Sequence, residues 1–189
     1  MVLYGKISPP SRGDSDEPGQ VGNQAALNHC PLCGGFVLME YMETIEAMQL
    51  AFEEAKKASL EGEIPVGAVV LQNGEIVASA HNVREGKNKI SGHAEILALE
   101  EAAKKLGRWQ LEGCELIVTL EPCPMCAGAI AQSRISTLVY GADDPKFGAF
   151  SNGIDPFSAK VYPSPLIYRG VLADKSKELI DEFFKVRRK

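Results

Sequence analysis

The stretch ELIVTLEPCPMCAGAIAQSRISTLVY, residues 115–140, reads as strand, helix and strand in succession. Glu115 to Leu120 is an apolar, β-branched run of the kind that forms a buried strand. Pro122 follows it, and proline favours a helix start. A helix is therefore expected from Cys123 to about Arg134, with Ser136 to Tyr140 as the next strand. Strands joined by one helix run parallel, with a right-handed crossover. Cys123 and Cys126 stand at i and i+3, on one face of that helix and at its N-terminus. The positive partial charge there lowers a thiol's pKa and favours the thiolate, the form that binds metal.

Working outward, His93-Ala94-Glu95 precedes Pro122 by 26 residues, 96 to 121. His93 opens a second run at helical spacing: Ile96, Leu99, Ala103 and Leu106. Gly107 follows as its C-cap. Two helix starts thus carry three ligands: His93, Cys123 and Cys126. One imidazole and two thiolates suit Zn²⁺ and leave its fourth position to water, whose pKa the ion brings to about 7. Glu95 is two residues from the histidine, in reach of that water without being a ligand. Read separately, a C-x-x-C pair is as readily structural or redox-active, and a lone histidine is as readily a packed side chain. Together they make H-x-E…P-C-x-x-C, the signature of zinc nucleobase deaminases.

The flanking elements set the fold class. Ile45, Met48, Phe52 and Ala55 form a helical stripe that ends near Gly62. Ile64 to Leu71 is expected as a strand, Asn73-Gly74 as a two-residue hairpin turn, and Glu75 to Ala80 as the partner strand. A Gly/Pro/Asp-rich segment runs from Gly141 to Pro165. Leu166 to Val171 is expected as the last strand and Asp174 as a helix N-cap. Leu179, Ile180, Phe183, Phe184 and Val186 give the last helix its apolar side. These elements predict an α/β chain: a three-layer α/β/α sandwich around a mixed five-stranded sheet. The site belongs where strand ends meet helix starts.

Composition bounds the rest. A chain of 189 residues with 45% hydrophobic content suits one domain with an appendage. The domain is expected over residues 42–189, after a loosely ordered extension over 1–41 that holds Pro9, Pro10, Gly13, Pro18 and Gly19. Within the extension, Cys30-Pro31-Leu32-Cys33 resembles half of a zinc knuckle. His29 offers a third ligand, but a second cysteine pair is lacking, since Cys114 is the one other cysteine outside the His93 set. No apolar run reaches the length of a membrane span, and the N-terminus lacks a secretory pattern. Five cysteines, an odd number with two C-x-x-C pairs, suit metal ligation in a reducing compartment, so a cytoplasmic protein is expected. A net charge of −5 argues against non-specific coating of nucleic acid. A local patch remains open: Lys185-Val186-Arg187-Arg188-Lys189 carries four positive charges and reads equally as a solvated tail or an RNA contact.

Several further stretches resemble the bacterial tRNA-specific adenosine deaminase family. They are Gly62-Glu63-Ile64-Pro65-Val66-Gly67-Ala68, His81-Asn82, His93-Ala94-Glu95-Ile96, Thr119-Leu120-Glu121-Pro122-Cys123, Met125 to Ile130, Ser133-Arg134-Ile135, Tyr140-Gly141-Ala142 with Lys146 and Gly148, and Gly170-Val171-Leu172 with Phe183-Phe184. The resemblance implies a cytidine deaminase-like fold, a homodimer, and conversion of the wobble adenosine in a tRNA anticodon stem-loop to inosine. It implies one zinc on His93, Cys123 and Cys126, with Glu95 as proton shuttle. Asn82 and Ala94 would meet the flipped nucleoside, Asp144 the RNA, and Phe183 or Phe184 the substrate, the other joining the core; Arg187 and Arg188 are candidate RNA contacts from the charge of the tail. Two segments depart from the family pattern, Asn88 to Gly92 and Tyr162 to Arg169. Both lie on stretches that could border the substrate. The same zinc and glutamate would also serve an enzyme acting on free guanine or cytosine.

Overall fold

Side-chain alternation along three central strands explains the layering. The computed structural model of the chain describes residues 5–6, 34–158 and 160–187. Strand β1 is Gly5–Lys6, followed by helix α1 (Gly34–Leu60), β2 (Gly67–Gln72), β3 (Glu75–His81) and α2 (Ala94–Leu106). Then come β4 (Cys114–Leu120), α3 (Pro124–Ser133), β5 (Thr137–Ala142), β6 (Leu166–Arg169) and α4 (Ala173–Arg187). Ala68, Val70, Leu116, Val118, Leu138 and Tyr140 point to one face and pack with Ala94, Ala98 and Ala102 of α2 and Ile130 and Ala131 of α3. Val69, Leu71, Ile117 and Val139 alternate to the other face and pack with Met48, Ala51 and Phe52 of α1 and with Leu179 of α4. The product is the expected sandwich, with α1 and α4 on one side of the sheet and α2 and α3 on the other.

The sheet order is β1-β6-β5-β4-β2-β3. β4 pairs with β5 and β5 with β6 in parallel, while β2 pairs antiparallel with β3 and β4. The five mixed strands expected from the sequence are these, and the β4-α3-β5 crossover is as read. The two-residue β1 adds to the outer edge of β6, with Gly5 opposite Arg169.

Boundaries moved for local reasons. β2 starts at Gly67 rather than Ile64 because Val66 N–H donates to the Ile64 carbonyl at 2.8 Å, a γ-turn around Pro65. β6 stops at Arg169 because Gly170 (φ +83°) and Leu172 (φ 53°) turn the chain left-handed. Asp174 is not the N-cap: α4 begins one residue earlier, and Asp174 sits in its first turn, where its charge complements the helix dipole. Helix α1 begins at Gly34, before the stripe that starts at Ile45. The run from Phe36 to Leu60 contains neither glycine nor proline to break it. Asn73 and Gly74 take φ of 53° and 76°, the paired left-handed geometry of the expected hairpin turn. Cys30, Cys33 and His29 lie outside the described residues.

At Gly67 the helix and the sheet come into backbone contact. A Cβ there would overlap the Ala51 carbonyl oxygen and lie 2.6 Å from the Ala55 amide nitrogen. Because both atoms belong to the main chain of α1, relief requires moving the helix. Gly67→Ala is expected to cost about 3 kcal/mol, the upper range for overpacking. Its urea midpoint should fall accordingly. A midpoint equal to wild type would show that α1 yields without cost.

Candidate active site

Helices α2 and α3 start side by side, and each offers its N-cap residue to the same point. His93 caps α2 with extended backbone (φ −87°, ψ 143°), and Cys123 caps α3 likewise (φ −70°, ψ 169°). Neither side chain is spent on a capping bond. Pro124 occupies the first turn of α3, where its missing N–H costs nothing, and one turn inward stands Cys126. Cys123 Sγ lies 3.6 Å from His93 Nδ1, Cys126 Sγ 3.5 Å from the same nitrogen, and the two sulfurs are 3.5 Å apart. Bonds of about 2.0–2.3 Å to a tetrahedral ion place its ligands roughly 3.3–3.8 Å apart, so the three atoms fit a metal ion in both chemistry and spacing. The thiols' mutual hydrogen bond, then that to His93, brings Cys123 down to about 4, while the same thiol contact raises Cys126. His93 is raised, chiefly by its hydrogen bond to Cys123.

Glu95 lies in the first turn of α2 and is buried, 4% exposed. Burial, and secondarily the charge on Cys123, pushes its carboxyl up to about 7. A carboxyl poised near neutrality both takes and returns protons, as a general acid–base group must. Asn82 bridges two segments beside it. Its Oδ1 accepts the Ala94 N–H at 2.9 Å and its Nδ2 donates to the Ile64 carbonyl at 3.1 Å. Asn82 and Ala94 thus come together at the α2 terminus, with the amide holding that terminus in place.

Two buried carboxylates position the loops around this centre. Glu63, 2% exposed, accepts the N–H of Glu85 at 3.1 Å and of Gly86 at 2.6 Å. Glu121, 3% exposed, accepts the N–H of Asp144 and of Ser151, both at 2.7 Å, and the Ser151 hydroxyl at 2.5 Å. A Cβ on Gly148 would overlap the Glu121 carboxyl, so this loop closes only around glycine. Asp144 Oδ1 accepts the N–H groups of Lys146 and Phe147 at 3.0 and 3.1 Å. It shapes the turn that presents Lys146 Nζ 4.9 Å from the centre of the exposed Phe147 ring.

A model of the MafB19-like deaminase family matches residues 42–188. A tRNA-specific adenosine deaminase of Bacillus subtilis (strain 168) is 46% identical over 143 residues, covering 75% of this chain and 89% of its own length. The chain belongs to the tRNA-specific adenosine deaminase family. A solved structure from a study of A-to-I editing by tRNA:A34 deaminases at the wobble position aligns with a TM-score of 0.66 and 38% identity, over 71% of this chain and 98% of that one. A guanine deaminase structure from Bacillus subtilis aligns less closely, with a TM-score of 0.52 and 34% identity over 63% of this chain and 77% of that one.

The helical stripe placed Phe183, Phe184 and Val186 together on the apolar side of α4, but in this deaminase only Phe183 of the three is buried, because the last turn of the helix leaves Phe184 and Val186 facing outward. Phe183 is buried and Phe184 is 38% exposed, with ring centres 5.4 Å apart in an edge-on arrangement. Arg187 lies over the Phe183 ring at 4.6 Å and donates to the Gly62 carbonyl. Its guanidinium therefore ties the end of α4 to the end of α1. Arg188 lies outside the described residues. The loop anchors Glu63 and Glu121 both stand in the motif stretches, but their role was not readable there. Their partners are main-chain amides 22 to 30 residues away, and an amide carries no residue-type signal.

Proposed function

We propose that this deaminase converts the wobble adenosine of a tRNA anticodon loop to inosine by hydrolysis: adenosine and water give inosine and ammonia. The observation that carries the reading is the three-ligand cluster with buried Glu95 beside it, in a chain whose relatives are named for this reaction. His93, Cys123 and Cys126 would hold zinc, which when bound supplies a Lewis acid that activates water. Glu95 takes the proton of the attacking water on a carboxylate oxygen and passes it to the ring nitrogen. As the amine-bearing carbon becomes a carbonyl, Glu95 takes the second proton from its new hydroxyl and delivers it to the amine, which leaves as ammonia. Asn82 keeps the α2 terminus, and so Glu95, aimed at that carbon. The target base must leave its stack, at least cost in an unpaired loop. Phe184 offers an exposed ring to a splayed base.

The reading includes a cytoplasmic homodimer. Met125 is exposed and Gly128 and Ala129 are half-exposed, which leaves the outer side of α3 open to a second copy. No helix among the described residues is long and apolar enough to cross a membrane. The deciding experiment incubates the protein with tRNA, free guanine and free cytosine in parallel. Inosine at the wobble position of tRNA is expected, with both free bases unchanged. Turnover of guanine with tRNA unmodified would replace this reading with that of a free-base deaminase.

A further inference from the structure

The loop from Val83 to Gly92 leads directly into His93 and is built as a closed, rigid unit. Val83 N–H donates to the Gly92 carbonyl at 2.9 Å, joining its ends. Inside, Lys89 N–H donates to the Arg84 carbonyl at 3.0 Å, and Gly92 N–H to the Lys89 carbonyl at 2.9 Å. The Glu63 carboxylate grips its outer turn through the N–H groups of Glu85 and Gly86. The main chain of Arg84 folds against Gly92 so closely that a Cβ on Gly92 would lie 3.0 Å from the Arg84 Cα. Arg84 is thereby placed next to the residue that precedes the metal ligand.

Charge is concentrated on this unit. Residues 84–89 carry three cations, Arg84, Lys87 and Lys89, against the single carboxylate of Glu85, in a chain of net charge −5. Lys89 pairs with Glu100 at 3.9 Å. Arg84 and Lys87 are exposed, and neither forms an ion pair with a described residue. With the backbone of the loop preformed, only the rotamer freedom of these two side chains is lost on meeting an anion. The Arg84 guanidinium presents a planar fork that suits phosphate oxygens, and Lys87 a point charge. The tail is differently employed, since Arg187 is held by Gly62 and Phe183.

We propose that the loop over residues 83–92 is a docking surface for the sugar-phosphate backbone of the RNA, with Arg84 and Lys87 as its phosphate contacts. The proposal rests on the RNA reading above. Each phosphate contact to a single-stranded region contributes about −0.7 to the slope of log affinity against log salt. The double variant Arg84→Gln/Lys87→Gln is therefore expected to bind tRNA with a slope shallower by about 1.4. Its KM for tRNA should rise while kcat at saturation stays the same. The single variant Lys87→Gln, altered only at an exposed side chain, should show half the change in slope and guards against misfolding of the double variant. A control, Lys104→Gln/Lys177→Gln, removes two exposed cations elsewhere and should keep the wild-type slope. If wild type modifies tRNA and both loop variants keep its slope, this surface is wrong and the substrate reading stands. Equal flattening in the control would also overturn it, by reducing the effect to net charge. Wild-type protein that neither binds nor modifies tRNA would overturn both.

Discussion

Glu95→Ala is expected to fold and to hold its metal while losing deamination by about 10²–10⁴-fold, the usual contribution of a positioned acid–base group. The same carboxyl serves the attack, the ring nitrogen and the leaving ammonia, which pushes the loss toward the upper end. Stability should not suffer, because a buried carboxyl whose pKa lies at about 7 is costly to keep charged in that place. Removing it relieves that cost and creates only a small void at the first turn of α2. Single-turnover assays at matched metal content would measure the chemistry without product release. Retention of more than about a tenth of wild-type rate would assign the proton transfers to another group.

Cys123→Ser is expected to reduce bound zinc from about one per chain to a small fraction. Serine keeps the N-cap of α3 and can even donate its oxygen to the helix, so the loss would lie in the ligand set rather than the fold. A hydroxyl far from its pKa offers no anion to the ion, whereas Cys123 sits at about 4. Binding to the folded state alone stabilises it by about 4.1 kcal/mol at free metal 1,000 times Kd. At about 2–4 °C per kcal/mol for a chain of this size, chelation should lower the Tm of wild type by roughly 8–16 °C. The variant's Tm should not respond to the chelator. Unchanged zinc content in Cys123→Ser would remove that residue from the site, and metal that disappears only with Cys30→Ser would relocate it to the N-terminal pair.

The parts of this protein that were legible in its sequence are those in which residue type encodes position. The βαβ unit could be read from the β-branched run Ile117 to Thr119 and the proline-cysteine helix start. The ligand set could be read because imidazole, two thiols and a nearby carboxyl recur in few other patterns. Side-chain alternation in β2, β4 and β5 carried the two-sided burial. What could not be read depended on contacts between distant segments in which one partner is backbone. The start of β2 was displaced by a turn around Pro65, and the start of α4 by the left-handed Leu172. Arg187, expected either as part of a solvated tail or as an RNA contact, is engaged by a carbonyl 125 residues away. Asp144, expected to contact RNA, also closes its own turn through two amides.

The two buried glutamates have a consequence for how such a site can diversify. Glu63 and Glu121 grip their loops mainly through peptide N–H groups, which all residues except proline possess. Side chains at 85, 144 and 151 can therefore change without releasing the grip, although position 151 would give up its added hydroxyl bond. Proline at those positions or at 86, or a side chain at Gly148, would break it. The rim around the metal centre is thus open to drift in sequence while its shape is inherited. On the proposed reading, substrate preference would be written in the exposed side chains of the rim and catalytic competence in His93, Glu95, Cys123 and Cys126 beneath it. A lineage with this architecture can exchange one amine-bearing base for another by altering its rim, with the ligands and the proton shuttle left in place.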